Sequence, residues 1–420
     1  MKAKLFFLIL LYISISSIFI TTDVFNDEAS YFFRSRTPFN EMLTNDVHPF
    51  LYLLLVKFMP QNIICLRLLS MLFTVCSLII FYYFLEGFTN LKGYIMALLI
   101  LNPYFIKFGM KAQPYALALM FSMIALYSYF QILNNDKKSY VILFFLSCIG
   151  GILTHSFFIL LLGIFFLNFF IRLFYGVILV KNIELTFYML ILPLCISFLV
   201  FLNYNWHLFF MHPALNFRTF TPILVLYTLV FFFVNLVLPL LFVISLGMIK
   251  PDIFEKSILL VMFAPLLVSF IIPIWNDRYF FILMPLFFLM FWRRILAIKK
   301  VYVKYCIIIF YATTCIYTMI DVNYDGDPIQ ESMKAIPQTY PIQNSIYHQS
   351  SFSFLPYEFY NFQCNMLINN TQIYHTPIYQ EYKLRNSYPT TYSYYLIGQS
   401  DQLNCTAIFD KNNLKVCFIQ

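Results

Sequence analysis

Ionisable residues gather in a few places along this chain, and the richest place follows the first apolar run. Residues 21–62 contain the adjacent acids Asp27 and Glu28 and, further on, His48. A positioned carboxylate takes a proton from an attacking hydroxyl, and two carboxylates with an imidazole also suit a divalent metal ion. Neighbouring helical residues point about 100° apart, so Asp27 and Glu28 cannot both face one atom. The same pair is also typical of a solvated helix start.

A second group of residues has the charge or the aromatic character that suits a phosphate. Its members are Arg67, Lys111, Tyr115, His155, Arg278 and Tyr279. Lys and Arg neutralise phosphate, and Arg binds it through paired hydrogen bonds. Taken singly, each cation is equally typical of an anchor near the lipid headgroups. Taken together, these residues predict a polar cavity with carboxylates at one wall and cations at another.

Membrane-spanning helices must position these residues. Of the 420 residues, 61% are hydrophobic and 11% are charged, whereas soluble proteins are about half apolar and a quarter charged. A chain this poor in charge cannot cover itself with polar surface, so lipid must be its solvent. The net charge of +8 is not accompanied by any nucleic-acid-binding motif. We therefore expect the lipid bilayer as a partner and no nucleic acid.

The apolar runs predict an all-α polytopic membrane protein with about eleven transmembrane helices. A spanning helix needs about 20 apolar residues. The runs lie at Leu5–Ile20 and near 63–85, 93–108, 113–133, 140–154, 156–174, 185–203, 222–248, 257–274, 279–297 and 301–320. No small-residue cleavage site follows the first run, so we expect it to stay as a signal-anchor. The shorter run Phe50–Met59, closed by Pro60, predicts an interfacial helix.

The basic residues orient these helices, because cytoplasmic loops carry an excess of Lys and Arg. With the N-terminus in the cytoplasm, every predicted inner loop holds at least one: Lys92; Lys137 and Lys138; Arg172 and Lys181; Lys250 and Lys256; and Arg293, Arg294, Lys299 and Lys300. The predicted outer loops are 21–62, 108–112, 154–156, 204–221 and 275–278. All the candidate residues then lie on the outer side of a multi-pass protein, for which a bacterial plasma membrane is the expected location.

Residues 321–420 differ in kind and predict a small soluble domain outside the membrane. They are rich in Asn, Gln, Ser, Thr and Tyr, with short alternating segments at Tyr394–Ile397, Ala407–Phe409 and Leu414–Phe418. About 100 residues suffice for one domain. We expect mixed α/β or mostly β structure there, after a transmembrane domain over residues 1–320 that includes the large first outer loop 21–62.

The nine cysteines divide between these two parts. Six fall in apolar runs, where Cys acts as a small hydrophobe. The other three, Cys364, Cys405 and Cys417, lie in the C-terminal part and allow at most one disulfide among them. Cys405 and Cys417 flank a turn-like segment at 410–413, and a bridge across a hairpin would suit them.

The order of the motifs resembles that of a known class of enzymes. The motifs are Asp27-Glu28, His48-Pro49-Phe50-Leu51-Tyr52, Arg67-Leu68-Leu69-Ser70, Asn102-Pro103, Gln113-Pro114-Tyr115, Arg278-Tyr279 and Pro285. Over about residues 1–300 the sequence resembles the GT-C glycosyltransferases that use polyprenyl-phosphate sugars. Within that class it is most similar to the protein O-mannosyltransferase and aminoarabinose-transferase-like family, glycosyltransferase family 39.

The chain departs from this family in two motifs. Members often carry Pro-Pro where this chain has His48-Pro49. Many have an acidic residue, any residue and Arg before the Tyr, where this chain has Lys111-Ala112-Gln113-Pro114 before Tyr115. Lys111 can replace an Arg as a point charge, but without paired hydrogen bonds.

The resemblance implies transfer of a sugar from a polyprenyl-phosphate donor, with inversion, at the outer face of the membrane. It implies Asp27 as the base, with Glu28 beside it. Arg278, Lys111 and either Arg67 or His155 are implied for the donor phosphate, and His48, Tyr115 and Tyr279 complete the substrate-binding set. The acceptor is a protein, a lipid or another glycan. The chemistry calls for no cofactor, and a divalent metal ion at Asp27, Glu28 and His48 stays open.

Two other functions are compatible with the same sequence. The first is a transporter or flippase of a lipid-linked sugar, and the second is a scaffold that kept the fold and lost the activity. Transporters tend to show internal repeats and charges near the membrane midplane. Here no repeat is evident, and the ionisable residues are expected at the outer ends of helices, which favours the enzyme.

The charge pattern makes a testable prediction about topology. The N-terminus and the loops at Lys137 and Lys299 should be cytoplasmic, and residues 325–420 should lie outside, because of the asymmetry of Lys and Arg. Labelling of single cysteines in a Cys-free background would measure this. A label at position 411 that reacts only after the membrane is breached would overturn the topology.

Overall fold

A computed structural model describes 2–20, 28, 31, 32, 35, 50–60, 62–134, 138–174, 191, 193, 195, 196, 252–259, 281–296, 298–324 and the six strands given below. The chain divides into two compact units. The first comprises Met1–Ile20, Val47–Tyr52 and Leu66–Ile320, and the second comprises Thr21–Asp46, Leu53–Cys65 and Asp321–Gln420.

Apolar runs form helices because a chain in lipid must satisfy its backbone hydrogen bonds internally. The helices are α1 (Lys2–Phe19), α2 (Leu51–Phe58), α3 (Ile63–Leu85), α4 (Lys92–Ile100), α5 (Pro103–Met110), α6 (Tyr115–Asn134), α7 (Lys138–Thr154), α8 (Ile159–Phe174), α9 (Met284–Leu296) and α10 (Val301–Tyr324). Residues 253–259 are also helical. The interfacial helix predicted at Phe50–Met59 corresponds to α2.

Several of these helices suit a membrane, and the protein is a multi-pass membrane protein. In the described part of the chain, Ile63–Leu85, Tyr115–Asn134 and Val301–Met319 are long and apolar enough to cross a bilayer, and α4 with α5 makes a fourth if the pair counts as one span. The predicted run at 222–248, and most of the runs at 185–203 and 257–274, lie outside the described residues. The total of about eleven spans therefore stays a prediction.

The single run predicted near 93–108 consists of two helices, α4 and α5, which meet at 72°. Pro103 is the first residue of α5 and has no N–H to continue the α4 ladder. Asn102 caps α5, and its Oδ1 accepts a hydrogen bond from the Phe105 N–H at 3.0 Å. A Pro at the first helical position with Asn as N-cap is a start signal that the apolar count overlooks.

The bend is closed by a hydrogen-bond chain to α10. The backbone N–H of Asn102 bonds to the carbonyl of Leu99 at 3.1 Å, which frees the Leu98 carbonyl from its usual helical donor. The Asn102 Nδ2 donates to the Tyr311 Oη at 3.1 Å, and that hydroxyl donates to the Leu98 carbonyl at 3.2 Å. The Leu98 carbonyl and the Phe105 N–H, which the break exposes, are therefore both paired.

Three helices of the first unit meet closely at Gly109. The Thr74 hydroxyl of α3 donates to the Gly109 carbonyl at 2.7 Å. A β-carbon at Gly109 would lie 2.9 Å from the Tyr12 Oη of α1 and 3.0 Å from Thr74. Thr74 lies eleven residues beyond Ile63, the start of α3, which is about 16 Å along the axis. Helix α5 therefore reaches the middle of α3.

The predicted outer loop 108–112 is consequently the end of α5 and the start of the turn that follows it, packed inside this unit. Gly109, Met110, Lys111 and Ala112 are all buried. A straight helix over 93–108 would have carried this segment to the membrane surface. The bend at Asn102 redirects it.

Glycines also set the contact between α6 and α7. A β-carbon at Gly150 would lie 2.5 Å from the Phe121 ring of α6. One at Gly151 would lie 2.1 Å from the ring of Phe158, in the following 3-10 turn Ser156–Phe158. Small residues allow helices in a bilayer to approach closely, so this pair permits a contact that an alanine would prevent.

A buried ion pair lies between α9 and the helix over 253–259. Asp252 and Glu255 cap each other: Asp252 Oδ1 accepts from the Glu255 N–H at 2.8 Å and Glu255 Oε2 from the Asp252 N–H at 3.2 Å. Arg294 donates to the Glu255 carboxylate, and both side chains are buried. The more exposed Arg293 reaches Asp252 at 3.0 Å. These arginines, which the sequence indicates only as cytoplasmic charge, also join two segments.

A network of polar groups centred on Asn168 includes Ser257, two residues after Glu255. The Tyr129 Oη of α6 donates to the Asn168 Oδ1 of α8 at 3.0 Å, and the Arg172 Nε donates to the same oxygen at 3.1 Å. The Asn168 Nδ2 lies 3.5 Å from the Ser257 Oγ. These contacts bring together segments next to three predicted inner loops. The direction in which this end faces across the membrane stays a prediction.

The strands of the second unit form a mixed sheet. They are β1 (Ile346–His348), β2 (Asn365–Leu367), β3 (Leu384–Arg385), β4 (Tyr394–Gln399), β5 (Ala407–Lys411) and β6 (Leu414–Ile419), in the order β3-β2-β1-β4-β6-β5. The first four strands of that order are parallel, and β6 runs antiparallel to β4 and β5.

Strands β5 and β6 are antiparallel, and Lys411 pairs with Leu414. Cys417 pairs with Ala407 in the same two strands. The other two C-terminal cysteines, Cys364 and Cys405, lie outside the described residues, and the proposed disulfide stays a prediction. The six cysteines in apolar runs, which are Cys65, Cys76, Cys148, Cys195, Cys306 and Cys315, are free thiols.

The Asn102 hydrogen bonds predict unequal effects of two substitutions on stability. Asn102→Leu keeps the side-chain volume but removes the helix cap and the bond to Tyr311, and we expect a loss of roughly 1–3 kcal/mol. Tyr311→Phe leaves the cap intact and should cost about 1 kcal/mol. The apparent Tm of the detergent-solubilised protein measures both. If the Asn102→Leu variant is as stable as the wild type, the Asn102 cap does not contribute to stability.

The adjacent arginines of α9 provide a matched pair of variants. Arg294→Gln removes the partner of a buried carboxylate, and such a loss costs about 3–5 kcal/mol. Arg293→Gln makes the same chemical change at a side chain that is 43% exposed, where an ion pair contributes about 1 kcal/mol or less. Thermal unfolding should separate the two, and a second change, Glu255→Gln, should restore most of the stability lost in Arg294→Gln. Equal losses for both arginines would contradict the buried pair.

Candidate functional site

The structure describes five of the nine candidate residues. Asp27, His48, Arg278 and Tyr279 lie outside the described residues, so their predicted roles stay predictions. The described candidates are Glu28, Arg67, Lys111, Tyr115 and His155, which are 0%, 0%, 6%, 5% and 2% exposed. An anchor near the lipid headgroups keeps its polar end in water, and none of the four in the first unit does so.

The turn at residues 111–114 joins α5 to α6 and places Lys111 and Tyr115 at its two ends. The Lys111 N–H still bonds back to the Lys107 carbonyl at 3.2 Å, as the last residue of a helix does. The Gln113 N–H then donates to the Lys111 carbonyl at 2.7 Å, and the Pro114 carbonyl accepts from the Ala118 N–H at 2.9 Å. These three main-chain hydrogen bonds stabilise the turn.

The Lys111 ammonium is held against an aromatic wall. Its Nζ lies 5.7 Å from the centroid of the Phe108 ring, within the range of a cation–π contact. The Phe108 ring meets the Tyr115 ring edge-on, with centroids 5.7 Å apart and planes at 87°. A compact cation in apolar surroundings attracts an anion more strongly than the same charge in water, and Lys111 has the chemistry to bind a phosphate there.

The structure brings His155 and Tyr115 together. Their ring centroids are 5.2 Å apart, with planes at 41°. His155 follows α7, and its Nδ1 accepts a hydrogen bond from the Phe157 N–H at 3.2 Å. A neutral ring with that acceptor carries its proton on Nε2. The histidine thus has a structural use as the cap of the 3-10 turn, whatever else it contacts.

Arg67 also has a structural use. Its Nη1 donates to the carbonyl of Ile20 at 3.0 Å, just beyond the end of α1. The last carbonyls of a helix lack helical donors and carry partial negative charge, so Arg67 stabilises that helix end. Three further polar side chains on the same face of α3 are also buried: Ser70, Thr74 and Ser77.

Glu28 belongs to the second unit and is fully buried and helical. Its burial excludes, for this residue, the solvated helix start that the sequence left open. A buried carboxylate requires hydrogen bonds or a positive partner. Its role beside Asp27 stays a prediction.

The divalent metal site stays a prediction for a related reason. Among the residues that the structure describes, no group of three or more His, Cys, Asp or Glu could hold a metal ion. Two of the three predicted ligands, Asp27 and His48, lie outside that part of the chain.

Sequence reasoning assigned no role to Gln113. The structure buries it to 1% exposure, and its Oε1 has no hydrogen-bond partner in the described part of the chain. The sequence signal that could have identified Gln113 is its position beside Pro114, between Lys111 and Tyr115. Burial depends on the bend at Asn102, which the apolar count did not predict.

Neither a protein-family model nor a curated protein matches the sequence. Two solved structures do resemble the fold. One is ArnT from Cupriavidus metallidurans in the apo state, with a TM-score of 0.59, 9% identity and 97% of each chain covered. The other is the same protein bound to undecaprenyl phosphate, with a TM-score of 0.60, 11% identity and 97% of each chain covered.

At such low identity the likeness shows the fold alone. The chain has the GT-C fold of ArnT, mostly helical with several apolar helices, and this confirms the fold class implied by the order of the motifs. The likeness extends over nearly the whole chain, whereas the motif resemblance covers about residues 1–300. The helix count, the nature of the C-terminal domain and the particular family stay predictions.

Proposed function

We propose that this chain is a glycosyltransferase of the GT-C type, which moves a sugar from a polyprenyl-phosphate donor to an acceptor at the outer face of the membrane. The observation that carries the proposal is the ArnT-like fold over 97% of the chain, because one of the similar structures is bound to undecaprenyl phosphate. The acceptor is a protein, a lipid or a glycan. The location is a plasma membrane, bacterial in type, with the N-terminus in the cytoplasm and residues 321–420 outside as a soluble domain.

The chemistry of the buried residues supports the proposal. Lys111, Tyr115 and His155 are polar side chains within a helical, lipid-embedded unit. Ionisable residues inside membrane proteins are costly and by default indicate function. A cation at the edge of an aromatic wall suits the phosphate of a lipid whose tail lies in the same bilayer.

The proposed reaction is a single displacement. The acceptor oxygen attacks the anomeric carbon and forms the new C–O bond, while the bond from that carbon to the phosphate oxygen breaks. The polyprenyl phosphate leaves with the electron pair, and the acceptor's proton passes to the carboxylate of Asp27. One displacement inverts the anomeric configuration. A leaving phosphate is stable as an anion, so no second catalytic acid is needed.

The remaining candidates are assigned by charge and by local contacts. Arg278 and Lys111 stabilise the growing charge on the leaving phosphate, and Glu28 orients the segment of Asp27. Arg67 and His155 rank below them because each already has a local hydrogen bond, to Ile20 and Phe157 respectively. His48, Tyr115 and Tyr279 complete the proposed substrate-binding set.

A transporter of lipid-linked sugar is the second candidate function, and two observations favour it. The segment with Lys111 packs near the middle of α3 and not at a helix end. The pair α4 and α5 is a broken helix with a 72° bend, and discontinuous helices are common in transporters. An assay in proteoliposomes separates the two functions. A labelled sugar on undecaprenyl phosphate that reaches an acceptor in a membrane extract supports the enzyme. Movement of the intact lipid across the bilayer without transfer supports the transporter.

The role of Asp27 is tested by Asp27→Asn. Asn has nearly the same size and keeps one acceptor oxygen, so the variant should fold, insert and bind donor. It cannot take a proton, and a positioned base contributes about 10²–10⁴-fold to the rate, so transfer should fall by that order. Glu28→Gln should cost less. The initial transfer rate in nanodiscs is the measurement, with expression and donor binding as controls. Normal transfer rates for both variants would exclude this acidic pair as the base and would favour the transporter over the enzyme.

A further inference from the structure

The buried amide of Gln113 is not explained by the roles assigned above. Its side chain is 1% exposed, and no residue in the described part of the chain donates a hydrogen bond to its Oε1. A buried polar atom without a partner costs about 1–3 kcal/mol. Folded proteins keep few such atoms, and each of them calls for an explanation.

The turn itself does not need this amide. Its shape is defined by the main-chain bonds of Lys111, Gln113 and Ala118 and by Pro114, while the Gln113 Oε1 adds no bond to any of them. Other buried polar atoms without a partner among the described residues include the hydroxyls of Tyr12, Ser16, Ser70 and Ser128. A hydroxyl rotates and both donates and accepts, whereas the Gln113 Oε1 can only accept.

That restriction identifies the chemical class of the missing partner. An acceptor needs a donor, which is a hydroxyl, an amine or an amide N–H. An ionised phosphate has only acceptor oxygens, so the Gln113 Oε1 cannot bind the donor's phosphate. Two residues away, the ammonium of Lys111 has only donors. The turn thus carries a cationic donor and a neutral acceptor side by side.

A sugar phosphate has the complementary pair of groups: phosphate oxygens that accept and sugar hydroxyls or amines that donate. We infer that the Gln113 Oε1 accepts a hydrogen bond from a hydroxyl or amino group of the donor sugar, while Lys111 faces the phosphate. This inference rests on the proposed function, since it places the polyprenyl-phosphate sugar at this turn. Gln113 is then a specificity residue, because a site that hydrogen-bonds a polar group of its ligand discriminates against a ligand without it.

The test compares two lipids with two variants in nanodiscs. Gln113→Met keeps the length and volume of the side chain and removes the acceptor. The probes are undecaprenyl phosphate without a sugar and undecaprenyl phosphate carrying glucose, mannose or an aminopentose. For the sugar-bearing lipid that the wild type binds best, Gln113→Met should weaken binding about three- to tenfold, the size of one hydrogen bond. Binding of the lipid without sugar should be unchanged.

The apparent Tm of the ligand-free protein gives a second readout. Substitution of a residue that stabilises the fold lowers the Tm, whereas substitution of Gln113 should not. Gln113→Met removes a buried atom that has no partner among the described residues, so the apparent Tm should stay the same or rise. Gln131→Met is the matched control, because it makes the same change in the half-buried part of α6 and should leave the preference between the two lipids intact.

The outcomes distinguish this inference from the proposed function. Equal weakening for both lipids, no weakening for either, or a lower Tm for Gln113→Met would overturn the role of Gln113. A wild type that does not prefer any sugar-bearing lipid would overturn it as well. A wild type whose preference for a sugar-bearing lipid depends on Gln113, but which transfers no sugar to any acceptor, would support this inference and refute the enzyme.

Discussion

The candidate site depends on the hydrogen bonds of Asn102. Its side chain caps α5 and also donates to Tyr311, whose hydroxyl satisfies the carbonyl that the broken helix exposes. In a bilayer, unpaired backbone groups cost several kcal/mol each, so the 72° bend persists only because these groups find partners inside the bundle. The bend directs α5 to the middle of α3, where Gly109 admits it. The turn that carries Lys111 and Gln113 is buried as a result.

Two parts of the first unit differ in whether their buried polar groups have hydrogen-bond partners. Between α9 and the helix over 253–259, the Glu255 carboxylate has a backbone N–H and the Arg294 guanidinium as partners. Nearby, Asn168 bonds to Tyr129, Arg172 and Ser257. At the turn before α6, by contrast, an acceptor is buried without a partner in the described part of the chain. Paired groups stabilise the folded state, whereas an unpaired acceptor lowers stability unless a ligand completes it. This contrast agrees with the proposal that the first region stabilises the bundle and that the turn before α6 binds the substrate.

Apolar runs predict helices well where nothing interrupts them and fail where a cap is hidden inside the run. The runs at 63–85, 113–133 and 301–320 correspond to α3, α6 and α10 within a few residues, because length and hydrophobicity suffice for a spanning helix. The run at 93–108 fails at Asn102-Pro103, whose start signal is visible in the sequence but carries little weight against the mostly apolar residues on both sides. The Asp252–Glu255 capping box was also readable from its spacing. Its ion pair with Arg294 was not, because residues about forty positions apart meet only through the fold.

The departure of this chain from the motif pattern of the GT-C enzymes that it resembles has an electrostatic consequence. An acidic residue followed two positions later by Arg has no net charge, and the two side chains can neutralise each other. Here the residues before Tyr115 are Lys111, Ala112, Gln113 and Pro114, so this turn has a charge of +1 and no acid of its own. Lys111 and Gln113 are both buried, where charges are screened less than in water. A turn of this composition attracts an anion by charge and selects what is attached to that anion by a hydrogen bond. These two tasks suit a donor that joins a phosphate to a sugar.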